Sequence, residues 1–183
     1  MNHEILVAGF GGQGVLSLGM TIAYAGMLEE KEVVWMPSYG PEIRGGTAHC
    51  TVIVSDHRIS SPIISCFDTA IILNQPSMDK FESYVKSGGY IFYESNNVIN
   101  PPNRSDISKV DVPAALEAAA MKNRQVMNMI VLGAFLELKP ILSVKSVAQA
   151  LKKVLPERRH NMIPVNEQAI ERGMELVKHP VAG

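Results

Sequence analysis

The sequence predicts an α/β fold: a Rossmann-like, mainly parallel, twisted sheet with helices on both faces and a helical C-terminal part. Three observations carry that reading. Short apolar runs alternate with helix-length amphipathic segments through the first part of the chain. The first of those runs passes directly into a glycine-rich turn that opens a helix. Beyond Pro113 only helical patterns remain.

In chain order, Glu4–Ala8 is a short apolar run followed by glycine, the pattern of a buried strand. From Val15 to Leu28 apolar and small residues recur at helical spacing, including Leu18, Ile22 and Ala25. Val33–Met36 is a second strand, followed by a loop from Pro37 to Gly46. Thr47–Val54 alternates, with Ala48, Cys50, Val52 and Val54 on one face and Thr47, His49, Thr51 and Ile53 on the other. Thr69–Leu73 reads as a buried strand. Met78–Lys86 reads as a helix stopped by Gly88 and Gly89, and Tyr90–Tyr93 as another strand. A Pro/Asn-rich loop over 96–105 leads to a final strand at Ile107–Val112. Pro113 suits the first turn of a helix over Ala114–Met121. Val126–Leu138, ended by Pro140, is strongly apolar, whereas Val144–Leu155 and Val165–Val177 are amphipathic. No internal repeat or linker divides the chain, so residues 1–183 are read as a single domain.

The composition excludes several classes. With 46% hydrophobic and 19% charged residues over 183 positions, the chain is ordinary globular material. A net charge of −1 gives no field that would draw in nucleic acid or an anionic membrane. The cluster Lys152, Lys153, Arg158, Arg159 and His160 reads as a cationic helix end and solvated loop, with a polyanion or partner contact as the alternative. No apolar run approaches a membrane span, and the N-terminus lacks a signal-peptide pattern. Two cysteines, Cys50 and Cys66, fit a reducing cytoplasm and are too few for a cluster of four thiolates. No metal site is expected.

Gly9, Gly11 and Gly14, with Gly12 and Gln13 between, match G-x-G-x-x-G in a strand-to-helix context. Such a turn brings backbone amides close to a phosphate at a helix N-terminus. The matching acid at the end of the second strand is missing. That strand ends Trp35-Met36-Pro37-Ser38; Glu29, Glu30 and Glu32 come too early, and Glu42 lies beyond a proline. A bound dinucleotide, a phosphate or anion contact, and a purely structural turn all remain open. In a doubly wound sheet the loop leaving the second strand lies at the carboxyl edge, near that turn, where ligands bind. There Arg44 could grip a carboxylate or phosphate with two prongs, or pair with Glu42 or a partner.

Gly9-Phe10-Gly11-Gly12-Gln13-Gly14-Val15-Leu16, followed by the run Ser38-Tyr39-Gly40-Pro41-Glu42-Ile43-Arg44-Gly45-Gly46-Thr47-Ala48, resembles the gamma subunits of pyruvate, 2-oxoglutarate and 2-ketoisovalerate oxidoreductases. It resembles less closely the small subunit of indolepyruvate oxidoreductase. The resemblance extends through Ser55-Asp56, Ser60-Ser61-Pro62 and Asn74-Gln75 to the helix Asn166–Gly173. It implies a subunit of an enzyme that joins a 2-oxoacid and coenzyme A, releases carbon dioxide and passes two electrons to ferredoxin or another acceptor. The residues around Ser38–Ala48 lean toward 2-oxoglutarate as the acid. The resemblance also implies alpha and beta partners carrying thiamine diphosphate and magnesium, with iron–sulfur clusters on beta or a ferredoxin-like delta subunit. This sequence has no Gly-Asp-Gly thiamine signature, which agrees with a gamma role and with no activity in isolation. An isolated chain could self-associate through its partner-facing surface. The resemblance further places Tyr39, Gly40, Glu42, Arg44, Gly45 and Gly46 on a loop facing the partner or the coenzyme A side of the active site. Two readings from other classes stand beside it: a free-standing NAD(P)-dependent oxidoreductase, and a non-catalytic nucleotide- or anion-binding module.

Neighbouring His49 and Cys50 suggest a base and a nucleophile. On a strand they point to opposite faces, so no dyad is expected and Cys50 is assigned to the core. Met121, Met127 and Met129 read as core filling, with an adaptable interface as the alternative.

Overall fold

Isoleucine, leucine, valine and alanine at positions 5–8 have no solvent exposure, and the strand that carries them is central. The computed structural model describes residues 1–39 and 46–178. Among these, six strands form one sheet: β1 (Asn2–Phe10), β2 (Glu32–Tyr39), β3 (Thr47–Ser55), β4 (Phe67–Ile72), β5 (Val85–Glu94) and β6 (Ser108–Val112). Their spatial order is β2-β3-β1-β4-β5-β6. The pairs β1–β4, β4–β5 and β5–β6 are parallel, while β3 runs antiparallel to both β1 and β2. The sheet is therefore mostly parallel, with one reversed strand inserted between β1 and β2.

The six helices are α1 (Val15–Leu28), α2 (Gln75–Phe81), α3 (Ala114–Ala120), α4 (Met127–Leu138), α5 (Val144–Val154) and α6 (Ile163–Lys178). They cover the two faces unequally. Odd-numbered β1 residues Ile5 and Val7, even-numbered β3 residues Cys50, Val52 and Val54, and Phe92 of β5 meet α1 and the C-terminal helices in the larger core. Leu6, Ala8, Ala70, Ile72 and Ile91 face the other way, onto α2 through Met78 and Phe81. The alternation read for Thr47–Val54 is present, and Met127 and Met129 are core residues. α4 is hydrophobic all round because it lies among the sheet, α3 and α6. It meets α6 at two reciprocal glycines: a Cβ on Gly133 would strike the Ile170 carbonyl, and one on Gly173 the Ile130 carbonyl. No helix among the described residues is long and apolar enough to cross a membrane.

One stretch departs from expectation. The helix expected over Met78–Lys86 ends at Phe81, continues as a 3-10 turn at Glu82–Tyr84, and gives way to β5 at Val85. Gly88 and Gly89 lie inside that strand and cap no helix. Val85 pairs with Phe67, the register then shifts before Thr69 pairs with Tyr90, and the two glycines absorb the shift. Gly88 adopts φ +76° and donates its N–H to the Asp106 carbonyl at 2.7 Å. The apolar Val85, 2% exposed, belongs to the small core, and that burial overrides local helix propensity.

Candidate functional site

The carboxyl ends of β1 and β4, the start of β3 and the N-terminus of α1 converge on one edge of the sheet. The glycine turn lies there, and hydrogen bonds show how it is held. The Gly11 N–H donates to the Gly46 carbonyl at 3.0 Å, tying the turn to the residue that leads into β3. Gln13 donates its backbone N–H to the Phe10 carbonyl at 3.1 Å. Its side-chain Oε1 accepts the Phe10 N–H at 2.7 Å, and its Nε2 donates to the Leu73 carbonyl at 3.1 Å. The Gln13 amide thus crosses over Gly9, where a Cβ would lie 2.7 Å from its Oε1, and binds the turn to the end of β4. Gly14 starts α1 in the left-handed conformation, φ +76°. A Cβ there would lie 2.9 Å from Cγ of Asn128, whose Nδ2 donates to the Gly14 carbonyl at 3.2 Å.

These bonds weigh the three readings of the glycine motif. The N–H groups of Phe10, Gly11 and Gln13, which a pyrophosphate would need, are already spent within the turn. Topology adds a second obstacle. With β3 between β1 and β2, the end of β2 is two strand spacings from β1, about 10 Å. A ribose seated by the β1 turn would not meet a β2 acid even if the sequence had one. Those three amides hold the turn together instead of facing a ligand.

Gly9, Gly11, Gly12, Gln13, Gly14 and Gly46 are brought together as expected. Tyr39 ends β2, paired with Ala48. Gly40, Glu42, Arg44 and Gly45 lie outside the described residues. The outer part of the turn is presented to solvent: Gly11 and Gly12 are exposed, and Phe10 is 37% exposed.

The expectation for His49 and Cys50 holds. Cys50 is buried beneath Trp35 and Gly19, and burial pushes its thiol up to about 12, so it is not a nucleophile. His49 faces the opposite way, 5.0 Å from the Phe81 ring, and burial, then Lys80, lowers its pKa. Among the described residues no group of three or more His, Cys, Asp or Glu could hold a metal ion.

On the helical side of the turn stand two asparagines that the sequence does not single out, together with Arg159 of the basic cluster. Asn128 and Asn166 are 5% and 7% exposed, and both line a cleft of about 250 Å³ beside α1. Arg159 reaches the same cleft and donates to Gln125 Oε1 at 2.6 Å, so part of the basic cluster is engaged with the fold. The sequence does carry a signal for Asn128, a lone amide in the otherwise apolar run Val126–Leu136. Nothing local to Arg159 points to a cleft 145 residues from Gly14.

Comparison with known proteins supplies the family. The model of the pyruvate ferredoxin/flavodoxin oxidoreductase family matches residues 4–176. The chain belongs to that family. Among its relatives, ketoisovalerate oxidoreductase subunit VorA of Methanothermobacter thermautotrophicus is 35% identical over 181 residues. That match covers 98% of this chain, which spans 37% of the length of VorA. The 2-oxoglutarate synthase subunit KorC of Methanocaldococcus jannaschii is 31% identical, covering 97% of this chain and 95% of KorC. Two solved family structures share the fold. The gamma subunit of keto/oxoacid ferredoxin oxidoreductase from Geobacter sulfurreducens PCA has TM-score 0.83 at 27% identity, covering 96% of this chain and 95% of its own. The 2-oxoglutarate:ferredoxin oxidoreductase of Magnetococcus marinus, with 2-oxoglutarate, coenzyme A and succinyl-CoA bound, has TM-score 0.87 at 26% identity. This chain corresponds to 97% of its own length and 31% of that longer one. A family domain that stands alone in some members is thus part of a longer polypeptide in others.

Proposed function

We propose that residues 1–183 form one gamma-subunit domain of a 2-oxoacid:ferredoxin (acceptor) oxidoreductase that acts in the cytoplasm with alpha, beta and ferredoxin-like delta partners. The observation that carries this reading is the end-to-end correspondence with KorC, a subunit of matching length. The reaction takes a 2-oxoacid and coenzyme A to acyl-CoA and carbon dioxide, and its two electrons go to ferredoxin through iron–sulfur clusters. Thiamine diphosphate, bound with magnesium on the partners, supplies the carbanion chemistry of decarboxylation. This chain's own donors do not suit an iron–sulfur cluster: Cys50 is buried with a raised pKa, which leaves Cys66 against a requirement for four thiolates.

The chain's contribution is a shaped backbone surface. The exposed Phe10–Gly12 turn, fixed by Gln13, stands beside Gly46, which leads into β3. We assign the segment from Tyr39 to Gly46, with Gly40, Glu42, Arg44 and Gly45, to the partner-facing, coenzyme A side of the assembled active site, with Arg44 as its anion-binding group. 2-Oxoglutarate is the favoured substrate, supported by KorC and by the M. marinus enzyme. A branched-chain 2-oxoacid is a second reading, favoured by the higher identity to VorA.

The test is co-expression with the thiamine-binding partner subunits and assay against a panel of 2-oxoacids. The expected result is coenzyme A-dependent reduction of ferredoxin by the complex and none by this chain alone. Turnover by the isolated chain, or failure to associate with those partners, would overturn the reading. In the complex, Arg44→Ala should raise the KM for coenzyme A; an unchanged KM and kcat would remove the loop from the site.

A further inference from the structure

Charge is spread unevenly along this chain. Residues 122–159 hold eight Lys or Arg against two Glu, a balance of +6, so the rest carries −7 within a net charge of −1. The fold gathers most of those cations onto one face. Lys152 and Lys153 lie in the last turn of α5, and Pro156 leads into the 3-10 segment Glu157–Met162 with Arg158 and Arg159. The Arg159 guanidinium donates to Gln125 Oε1 at 2.6 Å, and the Asn123 amide reaches the Met162 sulfur. Those contacts bring Lys122 and Arg124 alongside.

All six of these cations are exposed, and no ion pair among the described residues includes one of them. Glu157 is the one carboxylate within 122–125 and 152–160. No large apolar side chain in either segment is exposed; the exposed ones, such as Met27, Ile63 and Ile99, lie elsewhere. A permanent subunit interface resembles a domain core cut in half, and its centre is depleted in lysine. This face is the reverse, concentrated charge without an apolar anchor. Such a surface steers a partner in and sets its orientation more than it holds it.

We propose that the face formed by Lys122, Arg124, Lys152, Lys153, Arg158 and Arg159 docks a compact acidic protein that binds and leaves. Two features favour a protein over other polyanions. The two segments hold no Phe, Tyr or Trp to stack on bases and no exposed large apolar side chain to enter a bilayer. A nucleic acid or an anionic membrane also extends past the patch and meets the acidic remainder of the chain, whereas a small acidic protein matches the patch alone. Carboxylates suit the arginines in particular, since each planar guanidinium takes both oxygens of one group.

The full chain should be titrated with a fluorescent poly-L-glutamate peptide, which presents a partner's carboxylates, and binding followed by anisotropy. Saturable binding is expected at about 0.01 M ionic strength, weakening about tenfold or more by about 0.15 M, as the screening length falls from about 30 Å to about 8 Å. Lys152→Glu combined with Arg158→Glu should weaken low-salt binding about tenfold or more. Both side chains are exposed and outside any described ion pair, so the fold should persist. Arg58→Glu combined with Lys109→Glu makes the same change in net charge away from the patch and should leave affinity within about twofold. Equal losses in the two double variants would show that net charge alone governs binding and would overturn the proposal. So would absence of saturable peptide binding at low salt, or tighter binding by a single-stranded oligonucleotide of equal charge or by phosphatidylglycerol vesicles.

Discussion

The two edges of the sheet are closed by different chemistry. At the amino edge, charge does the work: Lys86 reaches Glu4 at 2.8 Å and Asp68 at 2.7 Å, and Asp68 also accepts the Glu4 N–H. Beside them His3 bonds Thr69 Oγ1 at 3.0 Å, and Lys139 stands 3.8 Å from the centre of the Tyr90 ring. At the carboxyl edge the buried Glu94 carboxylate, ending β5, accepts the N–H groups of Asn96, Asn97 and Ala115, but the joints around the glycine turn itself are neutral. The Gln13 amide, the Asn128 amide and backbone carbonyls hold the glycine turn. The amino edge is a seam that stays shut. The carboxyl edge keeps its backbone exposed at Gly11 and Gly12, and Arg159 there bonds the neutral Gln125.

The sharpest way to break the carboxyl edge is Gly14→Ala. A side chain at φ +76° costs about 1–2 kcal/mol, and displacing the Asn128 amide from the Gly14 carbonyl adds about 1 kcal/mol. Denaturant unfolding should therefore show a loss of about 2–3 kcal/mol. A loss below about 0.5 kcal/mol would mean the joint is not rigid.

That variant also marks how far sequence carries. Period and turn chemistry disclose β1, α1, the alternation of β3 and the long apolar α4, because each is a local pattern. The short connection from Tyr39 to Thr47 is too brief for a parallel crossover and favours an antiparallel β2–β3 pair, but the insertion of β3 between β2 and β1 is not local. Gly88 and Gly89 misled for a related reason, since a glycine pair after a helical run serves equally as a cap or as a strand irregularity. What decides is Val85 pairing with Phe67, eighteen residues earlier. The cleft was hidden because its groups come from Gly14, Asn128, Arg159 and Asn166, which only the fold brings together. The Gln13 clamp is equally invisible, since its partner is the carbonyl of Leu73.

At the amino edge a smaller effect is expected. Lys86→Met removes both ion pairs, but the lysine side chain is 40% exposed, so solvent already screens them. The loss should be at most about 1 kcal/mol, and it should shrink as salt approaches roughly 1 M, where the screening length is about 3 Å. A salt-independent loss would show that the aliphatic stem, not the charge, holds the seam. The folded lysine's pKa is raised through Asp68 and Glu4 despite the opposing effect of burial, so its contribution persists through neutral pH and disappears only as pH rises through that raised value.

The smallest effect distinguishes the edges by pH. His3 at the amino edge and His49 toward the carboxyl edge both have pKa values lowered from 6.5, chiefly by burial. Around His3, Asp68 and Glu4 oppose that shift while Lys139 and Lys86 reinforce it; beside His49, Lys80 reinforces it. As pH falls through about 6.5 the unfolded chain takes up protons that the folded rings refuse, so stability declines. Replacing each histidine with glutamine should flatten the curve of unfolding midpoint against pH below that point. His3→Gln should flatten it less, because the carboxylates of the charged seam partly welcome a proton there, whereas at His49 no carboxylate among the described residues does. Identical acid sensitivity in the wild type and both variants would place the titrating groups elsewhere and erase this electrostatic contrast between the edges.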